Sequence, residues 1–277
     1  MTTIDDAIRE LQEMEMGLDE AEIVLLSEGA ELMGQDTGSK ITSGFELIDD
    51  CIDGGFREGD FNIITGIPGE GKTTFCRMIT LNLAEKEIPS LWFSFEMTLR
   101  ELWDSFEKMG ADKSLISYAP MQLRDDLEWM FKHMTKAIEE RGIKAIFIDT
   151  LGDIVKTPKQ QQEMSNYASF LAQLCKDLRM YAIQNNVMIF AIAHAVKNTR
   201  SKTNETDNSD IANSNGIPAA ATNIFHVWRD AENTTLVKIG KSRRDGTKRN
   251  WRVKFEFKES RLFQMESASE ADKDDLW

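Results

Sequence analysis

Eight consecutive residues, Gly66-Ile67-Pro68-Gly69-Glu70-Gly71-Lys72-Thr73, spell G-x-x-x-x-G-K-T between the apolar run Phe61 to Thr65 and a helix-like stretch, Thr74 to Ala84. The types and the spacing are those of a phosphate cradle. Gly66, Gly69 and Gly71 let backbone N–H groups curl around phosphates, with Pro68, Glu70 and Thr74 completing the cradle. Lys72 reaches the β and γ oxygens, and the Thr73 hydroxyl ligates Mg²⁺. The helix after the loop presents its N-terminus to the same anion. The chemistry implied is the binding of a nucleoside triphosphate with Mg²⁺.

Three further residues stand where that chemistry needs them. A carboxylate must complete the Mg²⁺ shell beside Thr73, and Asp149 closes the apolar run Ala145 to Ile148. Acids at strand ends are common, and it is the preceding phosphate loop that points Asp149 to the metal. Glu96 follows the apolar run Ser90 to Phe95, so its carboxylate emerges at the same sheet edge. There it can orient or deprotonate the water that attacks the γ-phosphate. The alternative, an N-cap acid for the next helix, is a role that Thr98 already fills. His194 closes the run Val187 to Ala193 and faces the same crevice, where it can sense the γ-phosphate, although a lone histidine is commonly a structural residue. His133 and His226, within a helical run and mid-strand, read as structural.

These residues need a scaffold that brings strand ends together. From about Ile41, short apolar runs alternate with amphipathic helices, the pattern of a mostly parallel α/β sheet. Expected strands are Phe61 to Thr65, Leu91 to Phe95, Ala145 to Asp149, Val187 to His194 and Ile224 to Trp228. Expected helices are Thr74 to Ala84; Leu99 to Met109 behind the capping box Thr98-x-x-Glu101; Leu123 to Arg141 ending at Gly142; and a long one ending near Asn185. After Asp230 the alternation of Leu236, Lys238 and Ile239, then Val253, Phe255 and Phe257, predicts antiparallel strands around a turn at Asp245-Gly246.

The chain has 277 residues, 41% apolar and 29% charged, enough for one domain with tails. The longest apolar run, Val187 to Ala193, is far short of a membrane span, and Met1 to Ala7 is acidic where a secretory signal is basic, so a cytoplasmic location is expected. Cys51, Cys76 and Cys175 show no metal-ligand spacing and are odd in number, which suits buried thiols in a reducing compartment. The net charge of −14 sits at the ends. Residues 1–37 carry −10 and residues 267–277 carry −3, leaving −1 for a body that can bind a polyanion through local basic stretches. Three segments are expected: an acidic linker or docking helix (1–37), an ATPase domain (38–266) and an acidic tail (267–277).

Taken in order, these residues resemble the RecA-like helicase domain of the ring-forming replicative helicases: bacterial DnaB, phage primase-helicases and mitochondrial Twinkle. The resemblance runs from about Ser39 to Gln264. It includes Ser43-Gly44-Phe45-Glu46-Leu47-Ile48-Asp49 with Gly54-Gly55, Phe93-Ser94-Phe95-Glu96-Met97, Ile148-Asp149, and Asp210-Ile211-Ala212-Asn213-Ser214 through Ile224 to Arg229. His194 is closer to the phage and Twinkle branch. The resemblance implies a RecA-like P-loop core, ATP with Mg²⁺, a hexameric ring, and ATP-dependent translocation on single-stranded DNA. It also implies that a neighbouring subunit supplies a Lys-x-Arg pair to the γ-phosphate, matched here by Lys241-Ser242-Arg243. A solvated basic edge is the alternative, since Arg244, Lys248 and Arg249 crowd the same stretch.

Two departures bear on DNA contact. The resemblance calls for an Arg where Ala212 stands and for a glycine where Asn215 stands. DNA contact then rests on Asn213, Ser214 and Asn215, with Arg200, Lys202 and Lys156 nearby, through phosphate contacts that position without reading sequence. No primase or zinc-binding segment is expected ahead of the core. The tail ending in Leu276-Trp277 is either a solubilising end or an anionic anchor for replication partners such as a primase, polymerase or single-strand-binding protein. Competing functions are a RecA- or KaiC-like scaffold ATPase or recombinase, and a helicase loader.

Overall fold

Strands that are buried on both faces read as near-continuous apolar runs, and the runs noted above do so with a few buried polar residues such as Asn62 and Thr65. In the computed structural model the described residues are 25–26, 39–154, 167–196, 203–211 and 216–269. The chain divides into two units, 1–38 and 39–277, and the sheet with its helices belongs to the second.

Nine strands form one sheet: β1 (Phe61–Gly66), β2 (Ser90–Ser94), β3 (Ser117–Tyr118), β4 (Ala145–Asp149), β5 (Met188–His194), β6 (Asn223–Arg229), β7 (Thr235–Ser242), β8 (Arg252–Lys258) and β9 (Arg261–Ser269). Their order is β3-β2-β4-β5-β1-β6-β7-β8-β9. The strands from β3 through β6 are parallel, whereas β7, β8 and β9 are antiparallel additions. The fold class is thus α/β with a mostly parallel sheet, as expected. The helices of this unit among the described residues are α1 (Glu46–Cys51), α2 (Lys72–Ala84), α3 (Leu99–Glu107), α4 (Leu127–Arg141), α5 (Tyr167–Gln184) and α6 (Gly216–Ala220).

The sheet separates two cores. One side holds α1, α2 and α3, with Ile48, Phe75, Ile79 and Phe106 packed on the strands; the other holds α4, α5 and α6, with Met130, Leu174, Leu178 and Ile217. On the α2 side, Trp92, Phe147 and Phe190 stand in register across β2, β4 and β5. They stack at 4.8 and 4.7 Å with rings 11° from parallel, the spacing of neighbouring strands. Alternation along each strand then carries the same side one step on to Ser94 and Asp149 and two steps on from Phe190 to His194, so that all three share the α2 face toward the carboxyl edge.

Several expectations shift by a few residues. α4 starts at Leu127, because the Asp126 side chain accepts the Trp129 N–H as an N-cap. The expected turn at Asp245-Gly246 lies inside a longer connection, 243–251, in which Asp245 accepts from the Thr247 N–H. The strands β3 and β9 and the short helices α1 and α6 are additions to the expected set. β9 runs to Ser269, three residues into the stretch expected as tail. Cys51, Cys76 and Cys175 are free and buried. No helix among the described residues is long and apolar enough to cross a membrane. The expected N-terminal helix, apart from residues 25–26, and the tail beyond Ser269 lie outside the described residues.

Candidate active site

The loop after β1 has a shape that only its sequence permits. Gly66 has φ +151°, and a Cβ there would sit 2.2 Å from the Val227 carbonyl oxygen. Gly71, at φ +99°, is the N-cap of α2 and offers no side chain to the helix's first N–H groups, which leaves them for an anion. Lys72 is buried and curls back to donate to the Ile67 carbonyl at 2.8 Å. Burial holds its pKa below the ordinary lysine value, against the opposing pull of Asp149, Glu96 and Glu70.

Thr73 and Asp149 meet as expected. The Thr73 Oγ1 donates to Asp149 Oδ2 at 2.9 Å, and Asp149 Oδ1 is buried with no hydrogen-bond partner. Burial raises the Asp149 pKa to about 6, with Glu96 adding to the rise and Thr73, Lys72 and Arg77 opposing it. A hydroxyl beside a carboxylate that has an orphaned oxygen fits a hard, oxygen-seeking cation, and Mg²⁺ typically takes one or two carboxylates along with substrate phosphates. When bound, Mg²⁺ would neutralise charge on the β- and γ-phosphates; Thr73 and Asp149 would hold it.

Glu96 lies two residues beyond β2, and its Oε1 is 3.2 Å from Nε2 of His194 at the end of β5. With side chains 43% and 37% exposed, both remain within reach of water. The capping of α3 is handled elsewhere, by Thr98 and Glu101 exchanging hydrogen bonds, so Glu96 is free of that duty. A carboxylate oriented by an imidazole at the sheet edge that holds the P-loop has the geometry to take a proton from an attacking water. Together Ser94, Glu96 and Thr98 line a cavity of about 400 Å³.

Two residues not assigned from the sequence also belong to this edge. Arg229, the last residue of β6, has a guanidinium nitrogen 3.9 Å from where a side chain on Gly71 would begin. The guanidinium lies 5.5 Å from the centroid of the Phe257 ring, and its buried Nε has no partner. A guanidinium over an exposed aromatic ring beside a phosphate loop makes a stacking platform for a flat heterocycle. The signal was legible at Arg229, a cation at a strand end, but not at Phe257, whose alternation with Val253 and Phe255 suggested core. Glu70 is a different case: both of its carboxylate oxygens are engaged within the chain, Oε1 accepting from Asn204 Nδ2 at 2.8 Å and Oε2 from the Arg229 N–H at 2.5 Å.

Lys241 and Arg243 sit at the other end of the sheet. Because β7 runs antiparallel to β6, Lys241 pairs with Ile224, and the Arg243 N–H donates to the Thr222 carbonyl, level with Phe61 at the start of β1. Five residues of strand, about 17 Å, separate that level from Gly66. Their side chains rest on α6 and the residue after it: Lys241 Nζ donates to the Pro218 carbonyl, and Arg243 donates to the carbonyls of Ala219 and Ala221. Burial, with Arg243 and Arg179 nearby, lowers the Lys241 pKa to about 8. The DNA-contact candidates Lys156, Arg200, Lys202, Asn213, Ser214 and Asn215 lie outside the described residues.

Comparison with known proteins identifies the family and the fold. A probable replicative DNA helicase of Trieres chinensis is 27% identical over 221 residues, 69% of this chain and 47% of that protein. The DNA repair protein RadA of Haemophilus influenzae is 26% identical over 163 residues, 57% of this chain and 32% of that protein. The replicative DNA helicase DnaB of Nostoc is 27% identical over 114 residues, 41% of this chain and 13% of that protein. The chain therefore spans less than half the length of these relatives. The crystal structure of a KaiC-like protein from the archaeon Pyrococcus horikoshii superposes with a TM-score of 0.64 at 17% identity, covering 82% of this chain and 99% of that one, a likeness of fold. A family model described as "ATPase: KaiC" matches residues 41–206, from the bridge that opens the domain to the segment beyond His194. That match takes in the P-loop, Glu96, Asp149 and His194 and spans more than half of the 277 residues, so the chain belongs to the KaiC family of P-loop ATPases and is built on a RecA-type core.

Proposed function

We propose that this chain hydrolyses ATP at interfaces between copies of itself, arranged as a ring of six, and uses the cycle to move along single-stranded DNA and separate duplexes. The observation that carries the reading is the placement of Lys241 and Arg243 at the edge of the sheet opposite the P-loop. Cations there serve no phosphate of their own chain. They suit a neighbour's γ-phosphate, where a cation supplied across an interface stabilises the charge of phosphoryl transfer and ties hydrolysis to the geometry of the assembly. The helicase names of two of the three curated relatives favour unwinding as the output.

In this reading Lys72 and the α2 N-terminus hold the phosphates, and Thr73 and Asp149 hold Mg²⁺. Glu96 orients and deprotonates the water, and His194 positions Glu96 and senses the γ-phosphate. DNA contact falls to Asn213, Ser214 and Asn215, with Arg200, Lys202 and Lys156. The acidic tail recruits replication partners. A second reading, a scaffold ATPase acting in DNA repair, is favoured by the match to RadA and makes no use of duplex separation.

Forked-DNA unwinding by wild type and Glu96→Gln separates the two. Wild type should unwind with ATP, and the variant should lose about 10²- to 10⁴-fold in hydrolysis, the scale of a general base, while still binding ATP and DNA. Wild-type protein that hydrolyses ATP on single strands yet never separates a fork, even with partners, contradicts the motor.

A further inference from the structure

A carboxylate inside a phosphate cradle is a liability, since a negative charge a few ångströms from a triphosphate repels it. Glu70 is such a carboxylate, flanked by Gly69 and Gly71, whose freedom would let it swing. It is kept from the cradle by two donors: the Arg229 N–H on the β6 backbone and the Asn204 side chain. The first is part of the sheet. The second belongs to the segment 203–211 between β5 and α6, and how that segment is held decides whether Asn204 is a firm anchor.

It is held on all sides. Thr206 and Asn208 hydrogen-bond the two ring nitrogens of His226 at 2.9 and 2.8 Å, and Asn208 also donates to the Gly240 carbonyl. Glu205 pairs with Lys238 at 2.9 Å and with Arg252 at 2.7 Å, and Asp207 pairs with Lys238 at 2.6 Å. Thr206, His226 and Lys238 are buried, so these bonds resist exchange with water. At the far end the Val196 N–H donates to the Asp210 carbonyl and Ile211 bridges Ala195, the residue after His194. The segment is thus a strap pinned to β6, β7, β8 and the end of β5, with Asn204 presented to the P-loop.

We propose that Asn204 is a positioning residue of the nucleotide site, whose task is to hold the Glu70 carboxylate away from the incoming phosphates. Its amide is a neutral donor, so it fixes Glu70 without placing a competing charge at the loop. The proposal rests on the P-loop binding a triphosphate, and it extends the site to the segment 203–211. It also accounts for the engagement of both Glu70 carboxylate oxygens by donors of the chain itself.

The test is binding of a fluorescent, non-hydrolysable ATP analogue with Mg²⁺ to the full chain. Asn204→Ala frees Glu70 and should weaken binding about tenfold, a loss that shrinks as salt is raised. Glu70→Gln removes the charge and sets the reference affinity of a loop that carries no such repulsion. The decisive variant is the double, Asn204→Ala with Glu70→Gln, which should recover the affinity of Glu70→Gln alone. A merely structural asparagine predicts instead that the double stays as weak as Asn204→Ala. That result, or wild-type affinity in Asn204→Ala, overturns the proposal. If Asn204→Ala does not fold, the near-isosteric Asn204→Asp takes its place. It should bind more weakly than wild type and regain affinity when Glu70→Gln is added, and absence of that gain overturns the proposal equally. A wild-type chain that binds no analogue overturns the P-loop reading beneath it, an outcome distinct from the others.

Discussion

His226 and His194 show how burial assigns opposite roles to one residue type. His194 stands at the carboxyl edge with its ring open to water and to Glu96. His226 lies in mid-strand, fully buried between Thr206 and Asn208, and burial together with nearby Lys238 lowers its pKa to about 3. In the unfolded chain the same ring takes a proton near pH 6.5. Between those values the unfolded state binds the proton and the folded state does not, so stability is full above about pH 6.5 and falls as pH drops toward 3. The slope attributable to this ring is at most about 1.4 kcal/mol per pH unit. Urea denaturation of wild type and His226→Gln from pH 7 to 4 should show the wild type losing stability more steeply than the variant; parallel curves would contradict it. The placements of the two rings were legible in part, because a strand end and a strand middle differ in the sequence. The partners of His226 were not, because Thr206 and Asn208 reach it from a segment with no periodicity of its own.

At the scale of elements, the aromatic ladder Trp92-Phe147-Phe190 explains why the catalytic strand ends line up. Rings stacked in register across β2, β4 and β5 fix the relative heights of the strands, and beyond them toward the carboxyl edge stand Ser94, Asp149 and His194. Phe147→Ala removes the central ring from a fully buried site and should cost about 3–5 kcal/mol, read as a lower urea midpoint at unchanged slope. A cost below about 1 kcal/mol would mean that the ladder is not what holds the register. The parallel strands were readable because burial on both faces demands continuous apolar runs. β9 was not, since Arg261–Ser269 is an edge strand that mixes Leu262, exposed Phe263 and charged residues and blends into the acidic end. The same limit hid α6, whose five residues are too short for a helical period to register. The strap that presents Asn204 is defined by contacts with β6, β7 and β8, which no local pattern announces.

In the proposed reading the whole molecule carries the two halves of phosphoryl-transfer chemistry at opposite ends of one sheet. Lys72, Thr73, Glu96, Asp149 and His194 gather at the carboxyl ends of the parallel strands, and the reversal of β7 carries Lys241 and Arg243 to the other end. A site divided in this way is complete only when two copies meet, so hydrolysis per chain should rise with protein concentration. The most direct measurement is ATPase activity in a mixture of two variants, Glu96→Gln and Arg243→Ala, each folded and each inactive alone. Where an Arg243→Ala chain offers its intact P-loop and Glu96 to the intact Arg243 of a Glu96→Gln neighbour, one wild-type site is restored. The mixture should hydrolyse ATP well above either variant by itself. Mixed assemblies that form yet regain no activity, or an Arg243→Ala protein as active as wild type, would contradict it.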